Sequence, residues 1–495
     1  MGKLEAFKRT LNAVAPVNRL PSEILVLIFS YTMIPHPRFG RFSHYLLHTT
    51  FSAVCKHWRR VVLSDPLLWD FIASHHHPSM VEIALQRSQG VPLKALIGQW
   101  SEPNFVYLIQ PHVTSIQHLT CDLTQAIVRA RQSHPLVVVS PILERLELRR
   151  CCITGWGHMV SISESPHHRA VARVSLPESL RSLSLFFTPL ISHLFRLTML
   201  TSLSLQGIAT PFEILLLFLK NNICLEEIRI ADVLLEDADQ SGETIPLPHL
   251  HDFSYSGDII YPFLHRLSAP QRAQFSLNFI DTLERPATVL RSIFPKSLAS
   301  LGILPIDFVS LQTDHPSSAL SIYDSQGGGI SVQWLSKKSK AVNWDLFDLS
   351  TVREVCVSTP PIKLPNPAHL HDIRTLLERT PCLDTLSIFI SNRWGVYEPS
   401  VLSMITPGST EGFLPLLRNI RVASPVRGFP LRRLINLVKT RKEAEGISDI
   451  HHVEVLILRG GSPRLEELES LVSVSVRVVD SWEVPAEWKR GVANR

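Results

Sequence analysis

Short runs of alternating apolar and polar residues recur along most of this 495-residue chain. Many of them fit the pattern L-x-x-L-x-L, with an aliphatic or aromatic residue at each L position. A motif that repeats along a chain indicates an array of similar structural units rather than one globular core. Clear copies of the motif begin at Leu143, Leu180, Leu200, Leu225, Leu250, Leu298, Val352, Leu383, Leu417 and Ile450, and weaker ones lie near Ile116, Phe275 and Ile330.

Each copy predicts a short strand with its apolar residues on one face, because successive side chains of a strand alternate between faces. The segments between copies, for example Pro211 to Leu219, are predicted to cover the outside. One such unit cannot bury its apolar face alone, so the copies are expected to stack into a curved parallel sheet. An alternative remains open, since any parallel α/β protein also alternates short apolar strands with helices.

The first seventy residues show a different, helical pattern. A short helix is predicted from Leu20 to Tyr31, with Pro21 in its first turn, and Pro35 and Pro37 are expected to end it. Six consecutive apolar residues, Ile24 to Phe29, occupy nearly the whole circumference of this helix. Because a surface helix carries only one apolar stripe, the surplus predicts that part of this helix contacts a partner.

A second helix is predicted from Thr50 to Val62. Its residues Phe51, Val54, Trp58 and Val61 recur at the spacing of one helical face. Ser64-Asp65-Pro66 is expected to end it, and the following Leu67-Leu68-Trp69 returns large apolar groups to the same small module.

Composition and charge narrow the classes of partner. Hydrophobic residues make up 45% of the chain and charged residues 19%, with a net charge of +5. That charge is too weak over this length to indicate nucleic acid or an anionic membrane as the main partner. None of the seven cysteines forms a CxxC pair, and their number is odd. Both observations favour a reducing compartment. With no apolar leader at the N-terminus, we expect a location in the cytoplasm, the nucleus or both.

Sequence signatures of catalysis are missing. There is no G-x-S-x-G elbow, no H-E-x-x-H spacing, and no lysine-containing phosphate loop after the glycines at 327–329. The run His75-His76-His77 is interpreted as an exposed linker, since consecutive histidines rarely converge on a metal. We therefore expect a protein that is not an enzyme and that binds neither a cofactor nor a metal.

The order of three segments, LPSEIL with IF, then VCKHWRRVV, then SDPLLW, resembles the F-box, a three-helix module that docks onto the adaptor Skp1 of cullin-based ubiquitin ligases. A helical hairpin capping a larger domain would explain apolar helices, but not these anchors in this order. Between Phe29 and Val54 the chain is longer than in the shortest F-boxes, as in many fungal members. The resemblance implies a Skp1-binding set of Leu20, Pro21, Ile24, Leu25, Ile28, Val54, Cys55, Trp58, Leu67 and Trp69.

The repeats that follow resemble the degenerate leucine-rich repeats found behind F-boxes. The expected fold class is α/β, an N-terminal three-helix F-box followed by a leucine-rich-repeat-like α/β solenoid with a curved parallel sheet. The predicted organisation is an N-terminal tail (1–15), the F-box (16–72), a linker or connecting helix (73–90), the solenoid (91–480) and a C-terminal tail (481–495).

The resemblance implies a substrate-recognition adaptor of an SCF-type (Skp1–cullin–F-box) ubiquitin ligase. Such a chain would bind Skp1, through it a cullin, and a target protein of unknown identity. The alternative is a Skp1-binding scaffold that is not linked to ubiquitination. Polar and aromatic residues between the apolar strand positions form a candidate face for the target protein, namely Arg145, Glu147, Arg149, Phe186, Gln206, Arg229 and Arg421.

Overall fold

The computed structural model describes most of the chain in separate segments, which divide between two units, Met1–Leu200 and Thr201–Arg495. The described residues are 14–33, 43–98, 104–122, 135–156, 159–163, 172–236, 243–257, 263–282, 298–303, 305–314, 317–335, 344, 347–359, 367–390, 400–406, 414–425, 429–444, 446–458 and 465–479. Each unit combines helices with a mainly parallel sheet, so the fold is mixed α/β. No helix within these segments is both long and apolar enough to cross a membrane.

The first unit begins with helices and continues into short strands. Its helices are α1 (Ser22–Met33), α2 (Ser43–Val54), α3 (Lys56–Ser64), α4 (Pro78–Ser88) and α5 (Phe105–Ile109). Its strands are β1 (Phe71–Ala73), β2 (Leu93–Gly98), β3 (Ile116–Asp122), β4 (Leu136–Val138), β5 (Arg145–Arg149), β6 (Cys152–Trp156), β7 (Met159–Ser163), β8 (Ala172–Ser175) and β9 (Ser182–Phe186).

Strands β1, β2, β3, β5 and β9 pair in that order, all parallel, and form the main sheet of the first unit. The sheet therefore starts at Phe71, directly after the 3-10 turn Pro66–Trp69. Strands β4, β8, β7 and β6 form a separate small sheet, in which only the β4–β8 pair is parallel.

The single second helix expected from Thr50 to Val62 is wrong. The chain forms two helices there, with Cys55 between them in an extended conformation (φ −156°, ψ 170°). The Cys55 sulfur accepts a hydrogen bond from the Trp58 amide at 3.4 Å, so this side chain caps the N-terminus of α3. Cysteine is not among the usual capping residues, which is why the sequence gives no sign of the break.

The second unit continues with more strands than helices. Its helices are α6 (Phe212–Asn221), α7 (Pro367–Glu378), α8 (Ser400–Met404), α9 (Leu431–Glu443) and α10 (Glu466–Glu469). Its strands are β10 (Ser202–Gln206), β11 (Ala209–Pro211), β12 (Glu227–Ala231), β13 (Leu234–Glu236), β14 (Ile245–Pro246), β15 (Asp252–Gly257), β16 (Leu267–Ser268), β17 (Gln274–Thr282), β18 (Ile306–Asp314), β19 (Ser317–Asp324), β20 (Gly329–Leu335), β21 (Glu354–Thr359), β22 (Thr385–Ile390), β23 (Asn419–Pro425), β24 (His452–Leu458) and β25 (Ser473–Val479).

The main sheet of the second unit follows chain order except at one place. Strands β10, β12, β15 and β17 pair in sequence and in parallel, as do β21 to β25. Between these runs, β18, β19 and β20 form an antiparallel meander, in which β20 pairs with β17 and β18 pairs with β21. The glycines at 327–329 lie at its second turn and at the start of β20, a feature that the repeat pattern does not reveal.

Nine of the ten clear motif copies coincide with strands of the main sheets, and the weaker copies coincide with β3, β17 and β20. The copy at Leu298 is wrong, because Leu298–Leu301 is a 3-10 turn. Gly302, which follows it, has φ +73°, and a Cβ there would lie 2.1 Å from the Pro270 carbonyl oxygen. This left-handed conformation is incompatible with an extended strand and specific to glycine.

A backbone turn recurs where several strands end. Arg150 and Phe187 follow β5 and β9 in the left-handed conformation (φ 50° and 49°). In the second unit, Gly207 and Asp232 follow β10 and β12 in the same way (φ 62° and 51°), and each donates its amide to the next strand, Gly207 to Ala231 at 2.8 Å and Asp232 to Ser256 at 2.7 Å. The repeated motif thus has a repeated backbone geometry.

Candidate functional site

Helix α1 has two apolar faces, and the chain covers only one. Leu25 and Phe29 are fully buried and Val26 nearly so. The opposite face presents large side chains at i, i+3, i+4 and i+7, which is the spacing of one helical stripe: Ile24, Leu27, Ile28 and Tyr31, exposed by 42%, 53%, 39% and 73%.

The covered face packs on an aromatic cluster. The Phe29 ring stacks on Phe51 of α2, with centroids 4.5 Å apart, and lies 4.9 Å from Trp58 of α3. Phe51 and Trp58 meet edge to face at 6.0 Å. Three helices thus converge on three rings, so the small module has its own core without using the outer face of α1.

Trp69 closes the base of the module. Its ring nitrogen donates to the Val62 carbonyl at 2.7 Å, and the ring lies 4.4 Å from the His48 ring and 5.1 Å from the Arg87 guanidinium. Arg87 also donates to the Leu63 carbonyl at 2.6 Å. Because Arg87 belongs to α4, these contacts fix the module against the segment that follows it.

The structure divides the residues expected to bind Skp1 into three groups. Pro21, Ile24, Ile28, Val54 and Leu67 are exposed, and Leu20, Cys55 and Trp58 are partly buried. Leu25 and Trp69 lie in the core instead, at 0% and 5% exposure, and are not available to a partner in this conformation. Their place in the motif reflects folding of the module.

Two exposed residues, Leu27 and Tyr31, were not among the expected contacts. Their signal was present in the sequence, since both lie at helical spacing from Ile24 and Ile28. We call Ile24, Leu27, Ile28, Tyr31, Val54 and Leu67, which come from α1, α2 and the 3-10 turn, the outer apolar residues. Their exposed fractions range from 39% to 73%.

The histidine run at 75–77 is not a uniformly exposed linker. His76 is partly buried, and within the described part of the chain its Nε2 atom has no hydrogen-bond partner. Burial, and then the neighbouring His75 and His48, lower the pKa of His76 to about 4. His77 accepts a hydrogen bond from the Ser79 amide at the start of α4, so it acts as a helix cap.

Four of the candidate target-face residues lie together in the first unit. Arg145, Glu147 and Arg149 share one face of β5, and Phe186 of β9 is in register with Arg149. The Arg149 guanidinium forms an ion pair with Glu147 and lies 4.7 Å from the centre of the Phe186 ring.

The three candidates in the second unit are not brought together. Gln206 and Arg229 lie on neighbouring strands but are not paired, because Arg229 is in register with Ser204 and Gln206 is in register with Ala231. Arg421 is eight strands further along the sheet from Arg229, which corresponds to roughly 38 Å at the usual strand spacing.

Arg421 also has a different environment from the open face that was expected. Its side chain is only 25% exposed and pairs with Glu354 and Glu454, both nearly buried. Every residue of the neighbouring strand β22 is buried, on both of its faces. The bridged carboxylates and the covered strand indicate that Arg421 stabilises this part of the sheet.

Among the described residues, no group of three or more His, Cys, Asp or Glu side chains is arranged to hold a metal ion. The geometry therefore directs attention to surfaces, and above all to the outer apolar residues of the helical module.

Comparison with known families identifies the same helical module. Residues 17–74 match the F-box-like family, a span that contains α1, α2, α3 and the Trp69 base of the module. The chain therefore carries an F-box-like domain, and this domain points to a protein partner such as Skp1. No curated protein matches the chain.

Proposed function

We propose that this chain is a substrate-recognition adaptor of an SCF-type ubiquitin ligase. Its F-box-like domain would bind Skp1, and through Skp1 a cullin, while the strand-rich remainder would bind a target protein. The observation that carries the proposal is the exposure of the outer apolar residues on a module whose own core is already complete.

The physical argument is the free energy that is gained when the outer apolar residues are removed from solvent. Burying a large aliphatic or aromatic side chain contributes about 1.5–3 kcal/mol. Contiguous exposed apolar surface on a folded protein commonly marks an interaction site. Covering the outer apolar residues with a complementary apolar surface would therefore supply substantial binding free energy.

The strand-rich remainder is proposed to be a leucine-rich-repeat-like solenoid. The recurring L-x-x-L-x-L motif, the parallel strands in chain order and the recurring left-handed turns support this assignment. In this role the chain contributes no catalytic residue and no cofactor. It would act by tethering, which raises the effective concentration of a target lysine near the charged ubiquitin-conjugating enzyme. We place this activity in the cytoplasm, the nucleus or both.

Co-purification of the full chain with Skp1 and a cullin tests the proposal. An adaptor is expected to capture both proteins, the cullin only when Skp1 is present. If the chain fails to capture Skp1, the proposed function is wrong.

A Skp1-binding scaffold without a role in ubiquitination is the second candidate, because an F-box-like domain by itself requires only Skp1. Capture of Skp1 without a cullin, under conditions in which a known adaptor captures both, would favour the scaffold. Proximity labelling with the full chain and with the outer apolar residues substituted would then identify target proteins whose labelling depends on Skp1.

A further inference from the structure

The main sheet of the first unit carries a row of basic side chains on its polar face. Lys94 on β2 is in register with His118 on β3, and His118 is in register with Arg145 on β5. At the usual strand spacing, Lys94 and Arg145 are about 10 Å apart at their backbones. Arg149 lies four residues further along β5, about 13 Å from Arg145. We call Lys94, His118, Arg145 and Arg149 the basic row.

The cations of this row lie further out than the anions that neutralise them. Lys94 pairs with Asp70 at 2.7 Å, and the side chains are 47% and 19% exposed. Arg149 pairs with Glu147, and these side chains are 43% and 20% exposed. A molecule approaching the sheet therefore meets the basic groups first.

Arg145 is the most available member of the basic row. It is exposed, and within the described part of the chain it has no hydrogen-bonded or ion-paired partner. Phe186 adds an apolar surface next to the row, since its ring lies against the Arg149 guanidinium. Arginine and aromatic side chains are the types that contribute most to protein interfaces.

We propose that the basic row, with Phe186, is the docking surface for the target protein, and that the docking segment is extended and rich in Asp and Glu. This proposal rests on the proposed function, whose target it describes. The cations lie about 10 Å apart across the strands and about 13 Å apart along β5, which is too far for one phosphate group to bridge. Several separate carboxylates fit these distances better, and an extended segment presents side chains on one face at multiples of about 7 Å. Complementary charge would provide selectivity for acidic segments and fast association.

His118 gives the proposed surface a second property. It lies partly buried between Lys94 and Arg145, and the pKa of His118 is lowered by burial, then by Arg145 and Lys94, while Glu144 and Asp70 act in the opposite direction. An acidic segment placed over the row adds negative charge next to the imidazole and favours its protonated form. Binding is therefore coupled to proton uptake and is expected to strengthen as the pH falls below about 6.5, the ordinary pKa of histidine.

Fluorescence anisotropy with labelled peptides tests this surface on the full chain. The probe is a peptide of about ten residues with alternating Glu and Ser, compared with a Lys–Ser peptide of equal length. The Glu–Ser peptide is expected to bind, and Arg145→Glu is expected to weaken its binding at least about tenfold, a loss of about 1.4 kcal/mol. Arg173→Glu, the same change at an exposed strand residue of the separate small sheet, is the matched control and is expected to leave the affinity unchanged.

Three results would overturn the proposal. These are no binding of the Glu–Ser peptide, equal losses in the Arg145→Glu and Arg173→Glu variants, and tighter binding of a phosphoserine peptide that lacks carboxylates. His118→Gln is expected to abolish the strengthening of peptide binding at low pH. A pH dependence that persists in this variant would show that His118 is not part of the docking surface. Skp1 capture by the same protein preparations is scored separately, so loss of Skp1 binding would count against the proposed function alone.

Discussion

Helices α1 and α6 each contain six consecutive apolar residues, Ile24 to Phe29 and Ile214 to Leu219. The two runs differ in how many of these side chains the rest of the chain covers. In α6, the chain covers all but one of these side chains at least in part, and only Leu217 is exposed, at 48%. In α1, the chain covers only half of them, Leu25, Val26 and Phe29. An apolar run therefore does not by itself indicate a partner; what matters is whether the surrounding fold supplies a second covering surface.

The reason for the difference lies in the surroundings of each helix. Helix α6 lies beside β11 and β14, which belong to two small sheets of the second unit, and five of its residues are buried. Helix α1 belongs to a module of three short helices, whose core is filled by Phe29, Phe51 and Trp58. A module this small has a single hydrophobic core. The opposite apolar face of α1 therefore stays exposed and is available to another molecule.

The largest expected effect is the loss of stability when a buried residue of α6 is substituted. Leu219→Asp in α6 places a carboxylate at a position with 0% exposure and is expected to lower the free energy of unfolding by more than about 4 kcal/mol. Leu217→Asp, the same change at an exposed position of the same helix, is expected to cost less than about 1 kcal/mol. Chemical denaturation measures both, and equal losses would show that the burial pattern of α6 is misassigned.

The next effect tests the covered face of α1. Phe29→Ala removes a fully buried ring from the aromatic cluster and is expected to cost about 3–5 kcal/mol. Tyr31→Ala, on the outer face at 73% exposure, is expected to change the stability by less than about 0.5 kcal/mol. Thermal unfolding of the two variants would contradict the two-face description if Tyr31→Ala were the more destabilised.

Low pH is expected to lower the stability of the region next to the helical module. The pKa of His76, next to the module, is lowered to about 4, against about 6.5 in an unfolded chain. The folded state thus favours the neutral imidazole, and stability that is fully present above pH 6.5 is lost as the pH falls through 4. The loss is about 3 kcal/mol. Denaturation of the parent and of His76→Gln across this range measures it; parallel curves for the two proteins would contradict the assignment.

The smallest expected effect is on the outer face. Leu27→Ala removes a side chain that is 53% exposed and is expected to change the free energy of unfolding by less than about 0.5 kcal/mol. Differential scanning calorimetry compares it with Leu217→Ala in α6. A loss above about 2 kcal/mol for Leu27→Ala would mean that the chain itself uses this face.

The sequence predicted the regular parts of this molecule well, because regular parts have a periodic signal. The motif located strands such as β5 and β12 through their alternating leucines and isoleucines. It failed at Leu298, where spacing imitates a strand but Gly302 requires a left-handed turn. Local spacing cannot register such a conformation, which depends on the close approach of the Pro270 backbone.

The candidate site shows the same limit. Helical spacing identified Ile24 and Ile28, and would also have identified Leu27 and Tyr31 if exposure had been inferred from the helical stripe. It could not separate Leu25 from them, because only the tertiary structure decides which side of an all-apolar helix faces the core. Nor could it place Arg421 beside two nearly buried glutamates on strands distant in sequence.

The central claim is that the outer face of α1 binds Skp1 without contributing to the fold. Isothermal titration of purified Skp1 into the full chain, the Leu27→Asp/Ile28→Asp variant and the Leu217→Asp control tests it most directly. We predict that the double variant remains folded but loses at least about 100-fold in affinity, while the control binds like the parent. Unchanged Skp1 affinity in a folded double variant would contradict the account.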